Sequence, residues 1–248
     1  DIYYNDGNVG IGTSSPSYSL DVDGRIGISG SQALYVPGGS LTGSMAVGDG
    51  GQNLIHDSQV DEETGRFNTF VGIGSGDSST YAIANTATGF DSLTNNTSGS
   101  FNVSVGYRSL FDNTTGSGNV AIGRGALNSS NTEYNTAVGN MAGESLASGN
   151  GKNTFIGASA GRGITSGNNN TILGALDTAS FTGITTGSRN TIIGANVTGL
   201  PSDLNNNIII ADGAGNQRIR ILSDGKVGIG TASPEAIFHI DSTGYNNQ

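Results

Sequence analysis

Apolar residues in this chain come in short groups at a fixed step. The unit is Asn, a small or β-branched residue, two mostly apolar residues and a Gly, as in Asn153-Thr154-Phe155-Ile156-Gly157. Its copies begin at Asn68, Asn85, Asn102, Asn119, Asn135, Asn153, Asn170, Asn190 and Asn207, with steps of 17, 17, 17, 16, 18, 17, 20 and 17 residues. A period this short, held through 68–211, predicts a solenoid whose coils stack on one another. At the fourth position of the unit stand Val71, Thr88, Val105, Ile122, Val138, Ile156, Leu173, Ile193 and Ile210, mostly the side-chain type that packs best on a pleated surface. At the third stand Phe70, Ala87, Ser104, Ala121, Ala137, Phe155, Ile172, Ile192 and Ile209, which in a strand point the other way. Both faces are therefore largely apolar. A small coil has one interior, so such a strand needs a second covering surface outside its own coil, and self-association supplies it most simply.

Each coil continues past its Gly. Eight residues beyond the Asn comes a second small or apolar site, Leu93, Leu110, Leu127, Gly143 or Gly161, preceded by Ser or Ala, and then a turn rich in Gly, Ser, Asn and Thr. A 17-residue coil is expected to hold two short extended segments and two turns. The fold class is all-β, a parallel β-solenoid or β-roll. The nine asparagines are expected to stack as a ladder of side-chain amides, and the closing Gly to permit a tight bend. Nine coils at ~4.8 Å per strand make a rod section of about 40 Å.

The ends read differently. In 1–26, Ile2-Tyr3-Tyr4 and Asn8-Val9-Gly10-Ile11-Gly12 flank an Asp6-Gly7 hairpin turn, and Tyr18, Leu20 and Val22 alternate with polar residues. Shifted by 218, nearly the same text returns as Gly225-Lys226-Val227-Gly228-Ile229-Gly230-Thr231-Ala232-Ser233-Pro234, with Phe238 and Ile240 where Leu20 and Val22 stood. The chain divides into an N-terminal β-hairpin module (1–26), an irregular β and loop segment (27–67), the solenoid (68–211) and a C-terminal β-hairpin module (212–248). Within 27–67, Met45-Ala46-Val47-Gly48 reads as a degenerate repeat unit.

Composition narrows the chemistry. Among 248 residues there are 42 Gly and no Cys, only 12% are charged, and the net charge is -10. That balance argues against a nucleic-acid or anionic-lipid partner. No apolar run approaches the ~20 residues needed to span a bilayer, so membrane insertion is not expected in this segment. The first residue is Asp1 rather than Met, and the sequence reads as a piece of a longer chain.

No motif predicts a catalytic residue, a metal site or a cofactor. Gly72-Ile73-Gly74-Ser75-Gly76 and Gly123-Arg124-Gly125 lack the following helix and Lys of a phosphate loop. The acidic run at 57–63 beside His56 matches no calcium loop and reads as a solvated charged segment. Asp49, Asp57, Asp61, Glu62, Glu63, Asp77 and Asp91 show no carboxylate pairing that would mark a glycosidase. Tyr81, Phe90, Phe101, Tyr107, Phe111 and Tyr134 are expected mainly to fill the thin core. If exposed, Tyr81, Phe90, Tyr107 and Tyr134 are the candidates for stacking on host glycan. Thr136, Thr154, Thr171 and Thr191 form a file that Val103, Val120 and Ile208 interrupt, and read as β-branched packing rather than an ice-binding array.

Asn135-Thr136-Ala137-Val138-Gly139-Asn140-Met141-Ala142-Gly143 and Asn119-Val120-Ala121-Ile122-Gly123-Arg124-Gly125-Ala126-Leu127 resemble the head repeats of trimeric autotransporter adhesins of the YadA type. Those are left-handed parallel β-rolls intertwined as homotrimers, with a period shorter than the one here. The end modules, Gly7-Asn8-Val9-Gly10-Ile11-Gly12-Thr13-Ser14-Ser15-Pro16 and its copy, resemble a segment frequent in phage tail fibres. There it commonly precedes an endosialidase-type intramolecular chaperone domain that drives trimerisation and is often removed by self-cleavage. The resemblances imply an intertwined homotrimer without enzymatic activity. Its expected role is the structural and receptor-binding section of a phage tail fibre, located in the virion, with host cell-surface glycan or protein and other fibre or baseplate proteins as partners. A bacterial trimeric surface adhesin or extracellular filament protein is the alternative, and a tailspike glycan depolymerase the third reading. Function is expected where the repeat is broken, in 27–67 and 74–101.

Overall fold

The computed structural model describes residues 1–5, 7–17, 19–22, 65, 67–176 and 183–241, together with the backbone of 25–28, 31–35 and 45–47. The acidic run with His56, and Asp49, lie outside the described residues. Strands β1 (Ile2–Asn5), β2 (Asn8–Ile11) and β3 (Leu20–Val22) form a three-stranded sheet. A fifteen-stranded sheet follows, every strand beside its sequence neighbour. It runs through β4 (Arg25–Ile28), β5 (Ser31–Tyr35), β6 (Met45–Val47), β7 (Thr69–Val71), β8 (Thr86–Thr88), β9 (Val103–Val105), β10 (Val120–Ile122) and β11 (Thr136–Val138). It continues with β12 (Thr154–Ile156), β13 (Thr171–Leu173), β14 (Thr191–Ile193), β15 (Ile208–Ala211), β16 (Gln217–Ile221), β17 (Val227–Ile229) and β18 (Phe238–Ile240). No helix occurs among the described residues.

From β6 to β15 the strands are parallel and in strict register, Val120 opposite Val103 and Thr136, Ala121 opposite Ser104 and Ala137. This is a parallel β-solenoid with coils of about 17 residues. Met45 to Val47 pair with Thr69 to Val71 in the same register, so the degenerate unit is a rung and the sheet begins before Asn68.

Each described coil carries one strand rather than two. The half expected to contain a second extended segment places residues six and eight past the Asn in left-handed backbone, Asp91 and Leu93 at φ 52° and 55°, Arg108 and Leu110 at 52° and 47°. Such residues turn the chain sharply and cannot continue a strand. Neighbouring coils still bond through this half, the Leu93 N–H donating to Ser109 O and the Leu110 N–H to Ala126 O, both at 3.0 Å.

The third strand-unit position faces inward and is fully buried, as at Phe70, Ala87, Ser104, Ala121, Phe155 and Ile192. Core volume is shared across the coil. Ala87, Ser104 and Ala121 face coils carrying Leu93, Leu110 and Leu127, whereas Phe70 and Phe155 share their coils with Gly76 and Gly161. A Cβ at Gly76 would lie 2.7 Å from the Phe70 ring, and one at Gly161 2.4 Å from the Phe155 ring. A large residue on one side thus requires an absent one on the other, as close packing demands.

The asparagine ladder forms as expected. Asn85 donates from both its backbone N–H and its Nδ2 to Asn68 Oδ1, at 2.9 and 3.1 Å. Its Nδ2 also donates across the coil to Gly99 O, and the pattern repeats at Asn119, Asn153, Asn170 and Asn190, while Asn135 keeps the ladder bond and turns its Nδ2 to Thr132 Oγ1 and Glu133 O. From Gly72 to Gly194 the closing Gly has φ of 127° to 149°, and at Gly157 a Cβ would approach Gly174 C within 2.8 Å. Coils stack at backbone contact there, which only Gly permits.

Two features end the solenoid. Strand β16 pairs antiparallel with β15, and Arg220 Nε donates to Asn207 Oδ1 at 3.1 Å, occupying the last acceptor of the ladder. Burial holds the Arg220 guanidinium below its usual pKa. Beyond it the two end modules match in register as well as in text. Val9 pairs with Leu20 and Val227 with Phe238, both parallel. Ser15 N–H donates to Thr13 Oγ1 as Ser233 N–H does to Thr231 Oγ1, and Pro16 and Pro234 are both buried.

Candidate functional site

Three surface features arise where strand and turn side chains face away from the coil interior. The first is the outer sheet face. Its fourth-position file is partly open along its length, Val105 at 36%, Ile122 at 40%, Ile156 at 42% and Ile193 at 43% exposure. The first strand residues, Thr69, Thr86, Val103, Val120, Thr136, Thr154, Thr171, Thr191 and Ile208, share this face by strand alternation. Neither file contains a charge from 69 to 210. The interrupted threonine file therefore lies on the outside.

The second feature is aromatic. Core filling was the expected role of Tyr81, Phe90, Phe101, Tyr107, Phe111 and Tyr134, and the structure corrects it: all but the half-buried Phe111 are exposed in the single chain. The reason is position. Phe90 and Tyr107 lie five residues past their rung asparagines, beyond the Gly bend, where the chain has left the sheet. Their rings stack at 5.7 Å with an interplanar angle of 10°. The Arg108 guanidinium lies 5.4 Å from the Tyr107 ring and 4.8 Å from Phe111, and it pairs with Asp91 at 3.3 Å. Of the four glycan-contact candidates, the structure brings Phe90 and Tyr107 together and places Tyr81 and Tyr134 elsewhere, on turns of other coils.

Phe67, Phe101 and Tyr134 form another file, each immediately before a rung Asn, with Ala84 and Gly118 at the same place in the intervening coils. Tyr134 lies over Gly118, whose Cβ would fall 2.7 Å from the ring. All three aromatics have positive φ, 61°, 60° and 57°. Sequence reasoning missed Phe67 altogether, although its place one residue before Asn68 was readable once the period was fixed.

The third feature is a notch of about 440 Å³ lined by Asn131, Thr132, Glu133, Tyr134, Gly149, Asn150 and Lys152. It sits where a 16-residue coil is followed by one of 18 residues. In regular coils, paired turn N–H groups donate to a backbone carbonyl of the next coil, as Thr97 and Ser98 do to Thr114 O. The short coil lacks that carbonyl. Asn131 Oδ1 replaces it, accepting from the N–H groups of Thr114, Thr115 and Gly116 at 3.0, 2.9 and 3.2 Å. On the far side Lys152 N–H donates to Glu133 O at 3.0 Å. The step pattern 16 then 18 was the sequence signal for this site.

Among the described residues, no group of three or more His, Asp or Glu side chains converges as a metal site would require. Asp91 is engaged with Arg108. Neither Gly72-Ile73-Gly74-Ser75-Gly76 nor Gly123-Arg124-Gly125 opens a helix; both belong to the bend that follows a strand. No described helix is long and apolar enough to cross a membrane. Comparison with protein-family models, curated proteins and solved structures returned no match.

Proposed function

We propose that this chain is the shaft and receptor-binding section of a homotrimeric phage tail fibre, which attaches to a host cell surface without catalysis. The observation that carries the reading is the uncharged outer sheet face. It is a strip about 40 Å long and about 10 Å wide, from nine strands of three residues. An uncharged strip of that size, one file largely Val and Ile and the other largely Thr, with exposed aromatics at its corners in the first coils, is suited to association. A second and a third copy of the same face cover it symmetrically. Three rather than two copies rests on the likeness of the repeat unit to YadA-type heads, and a fibre rests on the likeness of the end modules to tail-fibre segments. Attachment then works by multiplicity, each chain offering a weak lateral site and three chains adding their effects.

Native mass spectrometry tests the assembly. A three-chain species is expected, and Ile122→Lys with Ile156→Lys is expected to release folded monomers. A monodisperse monomer of the unaltered chain would sink the reading. The unit's likeness to adhesin heads favours a bacterial surface adhesin as the second reading. Flanking sequence separates the two, since a membrane-anchoring barrel belongs to an adhesin and baseplate genes to a fibre. Shortening of host glycan on incubation would overturn the non-catalytic assignment.

A further inference from the structure

We infer that the notch beside Tyr134, continued by the exposed rings of Phe101 and Phe67, binds an uncharged, linear polysaccharide lying parallel to the solenoid axis. This deepens the attachment reading by naming a ligand class and a site, and it stands on different residues from the outer sheet face.

The backbone gives the first argument. The residue before each rung Asn sits in left-handed conformation, φ 54° at Asn169, 56° at Asn206 and 69° at Gly118. Gly and Asn accept that conformation readily, and a bulky aromatic does not. Phe67, Phe101 and Tyr134 nonetheless occupy it, and they are 57%, 65% and 59% exposed. Core packing therefore does not account for them. Ala84, Lys152 and Arg189 hold the same conformation at 55°, 61° and 60°, so the repeat imposes it, and what distinguishes the three aromatics is that they bear their rings on the outside of a position open to small or polar residues.

Spacing gives the second argument. The three rings recur every second coil, ~9.6 Å apart along the axis, with small Ala84 and Gly118 between them. That step is close to the length of a disaccharide unit in an extended chain. A sugar polymer laid along the file would present an apolar ring face to each aromatic in turn, while its hydroxyls faced solvent and the turns.

The notch supplies the polar part. Around Tyr134 stand the carboxylate of Glu133, the ammonium of Lys152 and the amide of Asn150, all on exposed residues. Sugar hydroxyls both donate and accept, and this set offers both. The notch is mostly polar with Tyr134 as its one aromatic, a lining that suits a hydroxyl-rich ligand with one apolar ring face. Charge selects the class: Glu133 and Lys152 balance each other within a chain of net charge -10, so a polyanionic glycan would be repelled and a neutral one would not.

The test uses the intact chain and isothermal titration calorimetry with chitohexaose and cellohexaose as neutral probes and oligoalginate as the anionic one. A neutral probe is expected to bind, more tightly as its length grows beyond a disaccharide, and oligoalginate is not. Tyr134→Asn, which keeps a residue suited to left-handed backbone, is expected to weaken binding by about tenfold. Phe101→Asn should weaken the hexamer and spare the disaccharide, and Ile237→Ser in the C-terminal module should change nothing. The proposal is overturned if no neutral probe binds at millimolar concentration, if oligoalginate binds better, or if Tyr134→Asn retains full affinity. It is equally overturned if Tyr134→Asn dissociates the assembly in native mass spectrometry, because the ring would then belong to a contact between chains. Sugar binding by a chain that proves monomeric would remove the trimer reading and leave this one standing.

Discussion

The two halves of the solenoid share a backbone and differ in where they put bulk. From Asn68 to Asn135 the inward position is mostly small, with Ala87, Ser104, Ala121 and Ala137, and the corners carry Phe67, Phe90, Phe101, Tyr107 and Tyr134. From Asn153 to Asn207 the inward position is Phe155, Ile172 and Ile192, while the matching corners carry Lys152, Asn169, Ala158, Ala175 and Ala195. The first half even buries a hydroxyl cluster, Ser104 Oγ lying 2.6 Å from Ser109 Oγ and 2.8 Å from Ser92 Oγ. The ladder runs through both halves, and the Gly column runs through both until Ala211 takes its place in the last unit. Backbone stacking and polar ladders therefore suffice to hold a coil, and side-chain volume is free to go inside for stability or outside for contact.

If the framework is common, breaking it should cost the same in either half. Asn119→Ala removes the acceptor of the Asn135 N–H and the donor to Thr132 O, and Asn170→Ala does likewise to Asn190 N–H and Gly187 O. Two buried groups lose partners each time, so a loss of about 4 kcal/mol is expected from urea midpoints in both variants. A large difference between them would contradict a shared framework.

The interior should separate the halves. Ile172→Ala opens a cavity for about 3 kcal/mol, whereas Ala87→Ile crowds a coil already filled by Leu93 and costs about 2 kcal/mol. Thermal unfolding of both variants checks this, and free acceptance of Ile at position 87 would show that the first half is underpacked.

Corner exchanges should be milder and opposite in sign. Asn169→Phe places an aromatic in left-handed backbone at a cost of about 1 kcal/mol, and Phe101→Asn returns about the same. Calorimetric melting temperatures should move in opposite directions. If Phe101→Asn lowers stability instead, Phe101 has a packing role and the contrast between halves narrows.

The smallest effect lies at the cap that follows both halves. Asp212 accepts from Asn216 Nδ2 and from Arg218 Nε, and these bonds lower its pKa from 3.8 to about 2. A carboxylate with a depressed folded pKa contributes stability above its unfolded pKa, and that contribution is lost as pH falls through the folded value. The turn at 212–218 should weaken between about pH 4 and 2. Asp212→Asn should flatten the acid limb of its hydrogen-exchange protection, and an unchanged limb would assign the acid sensitivity elsewhere.

Much of this was readable in the text of the chain. Asn and Gly are the residues whose side chain, or lack of one, the stacking requires at every coil, so their columns gave period, register and ladder directly. The duplicated modules were legible because Asp-Gly turns and buried Pro16 and Pro234 leave a literal signature. The return half was misread because Leu93 and Leu110 look like strand residues, and only their φ values show a turn. The aromatics were misassigned for a related reason: apolarity indicates a wish for burial, while the Gly bend that throws Phe90 and Tyr107 outward is a property of the backbone. Arg220 as the ladder's last donor had no local signal, since its role depends on β16 folding back antiparallel onto β15.

Because each described coil bonds to the coil before and after it in the same register, the length of the repeat section is an independent variable. Whole coils could be added or removed, each changing the rod by ~4.8 Å, without altering the surface of the remaining coils. The repeat section is a ruler whose length can change by duplication alone.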